Sequence, residues 1–169
     1  MNKKSSHFKI YIGSDHAGFK TKESIIPWLI SMGYEVVDCG AYEYDEYDDY
    51  PDFIAPVARA VSLNPENVKG IIFGGSGQGE AIVANRFPNV RAIVYYGEPS
   101  VLHRHSFIKI SREHNDSNII SFGARFVGIS ATKTVLKKWL TTPFSWSDRH
   151  VRRIKKIEKV SREVRNMNN

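Results

Sequence analysis

Five short β-rich runs alternate with stretches whose apolar residues recur at helical spacing, and this alternation constrains the fold more than any other feature. The runs are Phe8–Ile12, Tyr34–Cys39, Lys69–Phe73, Val90–Tyr95 and Asn118–Phe122. Between them, Phe19, Ile25, Ile26 and Leu29 mark a helix from Phe19 to Met32 that Gly33 stops. Further helices are expected over Pro51 to about Ser62, Ala81 to Arg86, Ser130 to Leu140 and Asp148 to about Arg165. The region from Glu98 to His114 is expected to be helical, although its pattern is poor. Strands alternating with helices predict an open, mostly parallel sheet covered on both faces, a three-layer α/β fold. Ligands of such folds sit beyond the carboxyl ends of the strands. Three polar segments fall there: the Asp15-His16 loop, the run from Gly74 to Glu80, and the loop after Phe122.

With 169 residues the chain suits one domain, 1–169, in which 148–169 forms a basic amphipathic C-terminal helix. The lone Cys39 excludes a disulfide framework and any multi-cysteine zinc site, so a reduced, cytoplasmic setting is expected. No apolar run approaches the roughly 20 residues that cross a bilayer, and Met1 to His7 lacks the apolar core of a secretory signal. The net charge of +6 hints at nucleic acid, but it lies wholly in the segment from Arg149 onward. Residues 1–148 are neutral, so neither a nucleic-acid nor a membrane partner is expected.

The glycine loop carries the strongest local signal. Glycines at 74, 75, 77 and 79 let a ligand approach the backbone, and the following helix offers free N–H groups. Such a turn suits a phosphate or an oxyanion that develops during reaction, and it also serves as a purely structural turn. The Gly-Lys-Ser/Thr ending of a nucleotide phosphate loop is missing. Glu80 at the helix start reads either as a carboxylate favoured by the helix dipole or as a general base beside the anion hole. Asp15-His16 reads as an N-cap with its neighbour, or as a hydrogen-bonding pair for a polar ligand. His114-Asn115, with Arg112 and Glu113, lies at a helix end where a proton donor can sit. Arg149 and Arg153 share a helix face, with His150 one position round, an arrangement suited to a phosphomonoester. The opposite stripe of Val151, Ile154, Ile157, Val160 and Val164 must pack on this domain or on a second subunit. The acidic run from Glu43 to Asp49 lacks calcium-loop spacing and reads as a solvated loop.

Together these motifs resemble the ribose-5-phosphate isomerase B family, which includes the galactose-6-phosphate isomerase subunits. The resemblance spans about Ile10 to Arg153. It rests on Asp15-His16-Ala17-Gly18, Asp49-Tyr50-Pro51, the run Gly74 to Glu80 with Ala84-Asn85, Arg112 to Asp116, Phe122 to Arg125, and Arg149-His150 with Arg153. It implies a Rossmann-like fold and an aldose-ketose isomerase acting on ribose 5-phosphate and ribulose 5-phosphate in the pentose phosphate pathway. Many members carry a catalytic cysteine where this chain has Gly74. A second branch has glycine there and uses a glutamate six residues later, the position of Glu80. A glutamate is ionised at neutral pH without activation, whereas a thiol near about 8.5 is mostly protonated.

The resemblance further implies roles. Glu80 moves the proton between C2 and C1. His114, with Asp15 as a partner, or His150 opens the sugar ring. Ser76 and the backbone of Gly75, Gly77, Gln78 and Gly79 hold the cis-enediolate. Arg149 and Arg153, with His16 and Arg125, grip the phosphate, and Asn115 contacts substrate. No metal and no cofactor is expected. A homodimer, or a dimer of dimers, with the site between subunits is implied. Between Tyr96 and Arg112 this chain is several residues longer than the family pattern, around Val101 to Ser106, which bears on substrate choice. The alternatives are an isomerase of a six-carbon sugar phosphate such as allose or galactose 6-phosphate, and a phosphosugar-binding protein without turnover.

Overall fold

The computed structural model describes residues 8–97 and 106–167. Five strands, β1 (Lys9–Ser14), β2 (Val36–Asp38), β3 (Val68–Gly74), β4 (Ala92–Tyr95) and β5 (Ile119–Gly123), form one sheet in the order β2-β1-β3-β5-β4. Every pairing is parallel. Six helices connect or follow the strands: α1 (Phe19–Ser31), α2 (Tyr50–Leu63), α3 (Gln78–Ala84), α4 (Phe107–Asn115), α5 (Ile129–Thr141) and α6 (Asp148–Met167). This is the expected three-layer, Rossmann-like arrangement.

The two faces of the central strands explain the layers. On β3, Ile71 and Phe73 join Ile10, Ile12, Ile120 and Phe122 in a cluster closed by Ile25 and Leu29 of α1 and by Leu136 and Trp139 of α5. Ile72 and Val68 point the other way with Ile119, against Ile54, Val57 and Val61 of α2 and Ala84 of α3. Strands buried on both faces lose the apolar-polar alternation and read as continuous apolar runs, as Lys69–Phe73 does. Trp139 is fully buried and donates its indole N–H to Ser117 Oγ at 2.9 Å.

Several boundaries differ from the sequence expectation. The α3 helix begins at Gln78 rather than Ala81, because Gly77, at φ +75°, turns the chain directly into it. It ends at Ala84, where Arg86 N–H bonds Val83 O and tightens the last turn. The fourth strand starts at Ala92, since Arg91 N–H is taken by the Asn118 side chain at 2.8 Å. Of the helix expected from Glu98, residues 107–115 form α4, capped by Ser106 Oγ accepting from Lys109 N–H. Residues 98–105, with most of the extra length around Val101 to Ser106, lie outside the described residues.

Pairing of Ser14 with Phe73, and of Gly74 with Gly123, brings the ends of β1, β3 and β5 level. The chain leaves β1 toward β2 on one side and later takes β3 on the other, so the connections diverge between β1 and β3. That crevice is where an open α/β sheet offers a ligand site. Among the described residues no helix is long and apolar enough to cross a membrane.

Candidate functional site at two edges of the sheet

At the carboxyl edge the β3–α3 turn controls the geometry. Gly77 sits in the left-handed region, and a Cβ there would meet the carbonyl carbon of Phe122 at 3.0 Å. Ser121 Oγ donates to Gly77 O at 2.7 Å and fixes the turn from below. Gln78 N–H is capped by Ser76 Oγ at 3.2 Å, and both Ser76 and Gln78 face solvent. Gly79 lies against Tyr50, whose phenol oxygen would be 2.9 Å from a Cβ at that position. The Arg125 guanidinium covers Gly75, 3.2 Å from where its Cβ would be. Arg125 is held there by its own N–H bonding Gly75 O at 3.3 Å.

Glu80 occupies the centre of this edge. It is 4% exposed, and its carboxylate fills the space a side chain on Gly74 would need: a Cβ added at Gly74 would overlap Glu80 Oε1. Oε2 is buried and has no hydrogen-bond partner among the described residues. Burial raises the Glu80 pKa above the ordinary carboxylate value; its own backbone N–H opposes this, and the nearby Asp15 charge reinforces it. The result is a carboxylate with a free lone pair and increased basicity.

Asp15 is also buried, and its Oδ1 accepts the Gly18 N–H at 3.1 Å. Desolvation raises its pKa against that hydrogen bond. His16 points to Asp48: Nδ1 lies 2.6 Å from Asp48 Oδ1, which also accepts the His16 backbone N–H at 3.1 Å. The Asp48 hydrogen bond raises the His16 pKa, so the ring is held toward its cationic form. Asp48 therefore departs from the solvated-loop reading, with a side chain only 6% exposed. Asp15, His16 and Asp48 hold their ligand atoms within 4.8 Å of one another. The 2.6 Å contact between His16 and Asp48 is a proton-sharing distance, with no room for an ion between those two atoms.

The remaining candidates lie at the opposite edge. His114 and Asn115 end α4 just before β5 begins, and Arg149, His150 and Arg153 lie in the first two turns of α6. The His114 and His150 rings lie against each other with centroids 4.2 Å apart and planes tilted by 33°. His150 is buried, with Nδ1 2.9 Å from Ser145 Oγ and Nε2 accepting from Arg149 Nε at 3.0 Å. Burial lowers its pKa, and His114, Arg149 and Arg153 add to the effect. His150 is thus a neutral ring with both nitrogens engaged, whereas His114 is only half-buried.

The chain thus collects Asp15, His16, Gly75, Ser76, Gly77, Gln78, Gly79, Glu80 and Arg125 at one edge, and His114, Asn115, Arg149, His150 and Arg153 at the other. At about 3.3 Å per strand residue the sheet keeps the two groups some 15 Å apart. Sequence reasoning missed Asp48 and placed Tyr50 only in a motif. The His16–Asp48 contact joins residues 32 apart through a loop without periodicity, so no local pattern announces it.

The ribose/galactose isomerase family profile matches residues 10–157. Ribose-5-phosphate isomerase B of Mycolicibacterium paratuberculosis is 36% identical over 146 residues, covering 86% of this chain and 87% of its own. The Escherichia coli K12 protein of that name is 37% identical over 149 residues, covering 88% and 93%. Among solved structures, ribose-5-phosphate isomerase B from Mycoplasma genitalium with bound ribulose-5-phosphate superposes with a TM-score of 0.84 at 33% identity, covering 92% of this chain and 97% of that one. The Clostridium thermocellum enzyme gives 0.82 at 38% identity, covering 93% and 99%. Fold, motif order and these relatives agree: the chain belongs to the ribose/galactose isomerase family.

Proposed function

We propose that this protein interconverts ribose 5-phosphate and ribulose 5-phosphate, with Glu80 as the base. The observation that carries this reading is the buried Glu80 carboxylate seated over Gly74 with Oε2 unpartnered. A merely dipole-favoured carboxylate would lie in solvent at the helix start. The bound ribulose-5-phosphate of the Mycoplasma genitalium relative supports the substrate class, which suits a cytoplasmic enzyme.

On the open-chain aldose, Glu80 takes the proton from C2. The electron pair of that bond forms the C1–C2 double bond, and the carbonyl pair moves to O1, giving a cis-enediolate. A proton passes from O2 to O1, and Glu80 returns its proton to C1, leaving the ketone at C2. Ser76 and the backbone N–H groups of the loop from Gly75 to Gly79 stabilise the charge on oxygen. The cationic form of His16, with Arg125, supplies positive charge to the phosphate from the same edge.

His114, Asn115, Arg149 and Arg153 enter from a second copy of the chain. One copy holds them beyond the sheet from Glu80, and Ile157, Val160 and Val164 of α6 are each more than half exposed, an apolar face left without a partner among the described residues. A homodimer with two shared sites satisfies both observations. His114 is the ring-opening acid in this reading, since both His150 nitrogens are engaged.

The test is turnover of ribose 5-phosphate without added metal by the parent and by Glu80→Gln. A loss of about 10²–10⁴-fold is expected for removal of a general base. A folded but inactive parent that turns over allose or galactose 6-phosphate would move the assignment to a six-carbon substrate. Binding without proton exchange at C2 would make it a phosphosugar-binding protein.

A further inference from the structure

We propose that the acidic loop between β2 and α2 receives the basic ridge of a second copy's α6, whose Arg152 and Lys156 seat over a cavity lined by Glu43, Asp45 and Asp48. This contact rests on the shared-site reading above, and it is what holds the two copies in register around the phosphate.

The loop has carboxylates in excess of anything that answers them. Five fall between residues 43 and 49, with no basic residue among them. Glu43, Asp45 and Glu46 are exposed and make no ion pair among the described residues. A cavity of about 300 Å³ lies against them, lined by Ala41, Tyr42, Glu43, Asp45, Asp48 and Phe53. Asp48 shows independently that this cavity lacks a partner. Its side chain is only 6% exposed, and while Oδ1 meets His16, Oδ2 is buried with no hydrogen-bond partner among the described residues. Buried polar atoms normally find one. A cation entering the cavity relieves the crowding of like charges. Tyr42 and Phe53 add aromatic faces that suit a guanidinium.

The complement is on α6. From Arg149 to Lys156 there are five basic residues and no acid. Arg149, Arg152, Arg153 and Lys156 follow helical spacing of three and four, so they form one ridge, and all four are exposed. Neither Arg152 nor Lys156 has an ion pair among the described residues. Within one copy the loop and the ridge are kept apart. The loop follows β2 at the carboxyl edge, whereas Glu158, beyond the ridge, stands 3.7 Å from Arg91 just before β4 begins. A second copy brings them together. Its Arg149 and Arg153 reach the phosphate beside His16, and His16 Nδ1 is 2.6 Å from Asp48 of the loop. The ridge spans about 10.5 Å from Arg149 to Lys156, so its other two cations pass over the adjoining carboxylates. Two-fold symmetry makes the contact twice.

The test reverses each side separately. One variant carries Glu43→Lys, Asp45→Lys and Glu46→Lys, and the other carries Arg152→Glu and Lys156→Glu; none of these residues belongs to the proposed catalytic or phosphate-binding set. Sedimentation velocity at low salt is expected to show each variant dimerising at least about tenfold more weakly than the parent. An equal mixture of the two should recover the parental dimer, because both contacts then pair opposite charges. The parental dimer should also weaken as salt rises. Three results would overturn the proposal: either variant dimerising as the parent does, a mixture no stronger than its parts, or a parental dimer indifferent to salt. A dimer that ignores both reversals yet complements between Glu80→Gln and His114→Ala chains loses this contact and keeps the shared site. A parent that stays monomeric loses both.

Discussion

The Glu80 carboxylate occupies the volume that a side chain on Gly74 would fill. Two residues six apart therefore form one device: the glycine at the end of β3 is what lets the first turn of α3 tuck its acid inward. A thiol at position 74 and this placement of Glu80 exclude each other sterically. Gly74→Ala should consequently keep the fold and lose the chemistry. Turnover is expected to fall by at least about tenfold as the carboxylate is displaced, with an overpacking cost of about 1–3 kcal/mol in thermal unfolding. An alanine variant with parental turnover would show that the carboxylate does not act from this position.

Removing the Glu80 charge should also stabilise the protein. Its pKa is raised in the folded state by burial, so the folded chain holds the proton more tightly than the unfolded chain does. The charged form is therefore a cost to folding, absent at pH below the unfolded value of about 4.3 and fully present once pH has risen through the folded pKa. Glu80→Gln is expected to raise the unfolding temperature by a few degrees at neutral pH, about 1 kcal/mol. Thermal scans of both proteins should converge at acid pH.

The His16–Asp48 pair carries a prediction of the opposite sign. The Asp48 hydrogen bond raises the His16 pKa, so the pair's contribution is complete below about pH 6.5 and is lost as pH rises through the folded pKa. Asp48→Asn removes that support. The alkaline fall of kcat/KM is expected to begin at lower pH in the variant, with KM more affected than kcat. A pH profile superposing on that of the parent would separate His16 from substrate binding.

Much of this was legible in the sequence, and the exceptions have physical causes. Strands buried on both faces, such as β3, announce themselves as apolar runs, and Gly33 and Pro51 punctuate helices where the backbone requires it. The early start of α3 was not legible, because it depends on Gly77 entering the left-handed region between β3 and β5. Asp48 was hidden because its meaning lies in a contact made across 32 residues. The separation of His114 from Glu80 is a property of topology, since α4 carries its last turn back to the amino edge before β5 begins. No motif spacing encodes that.

The two histidines at the amino edge should respond differently to substitution. His150 is buried between Ser145 and Arg149, so His150→Ala is expected to lower the unfolding temperature and to raise KM through a mispositioned Arg149. His114→Ala should leave stability nearly unchanged and lower kcat by about 10²-fold or more, as loss of a general acid does. Parallel kinetics and thermal unfolding of the two variants distinguish these roles.

Mixing two inactive variants tests the shared site most directly. The Glu80→Gln and His114→Ala proteins are combined in equal amounts under conditions that dissociate and reassociate the proposed homodimer, and ribose 5-phosphate turnover is measured. If each site takes Glu80 from one copy and His114 from the other, half of the dimers are mixed and each holds one intact site, so activity should recover to about one quarter of the parental value. No recovery after verified subunit exchange would mean that both residues serve the same chain's site, which would contradict the proposed sharing of one site between two copies.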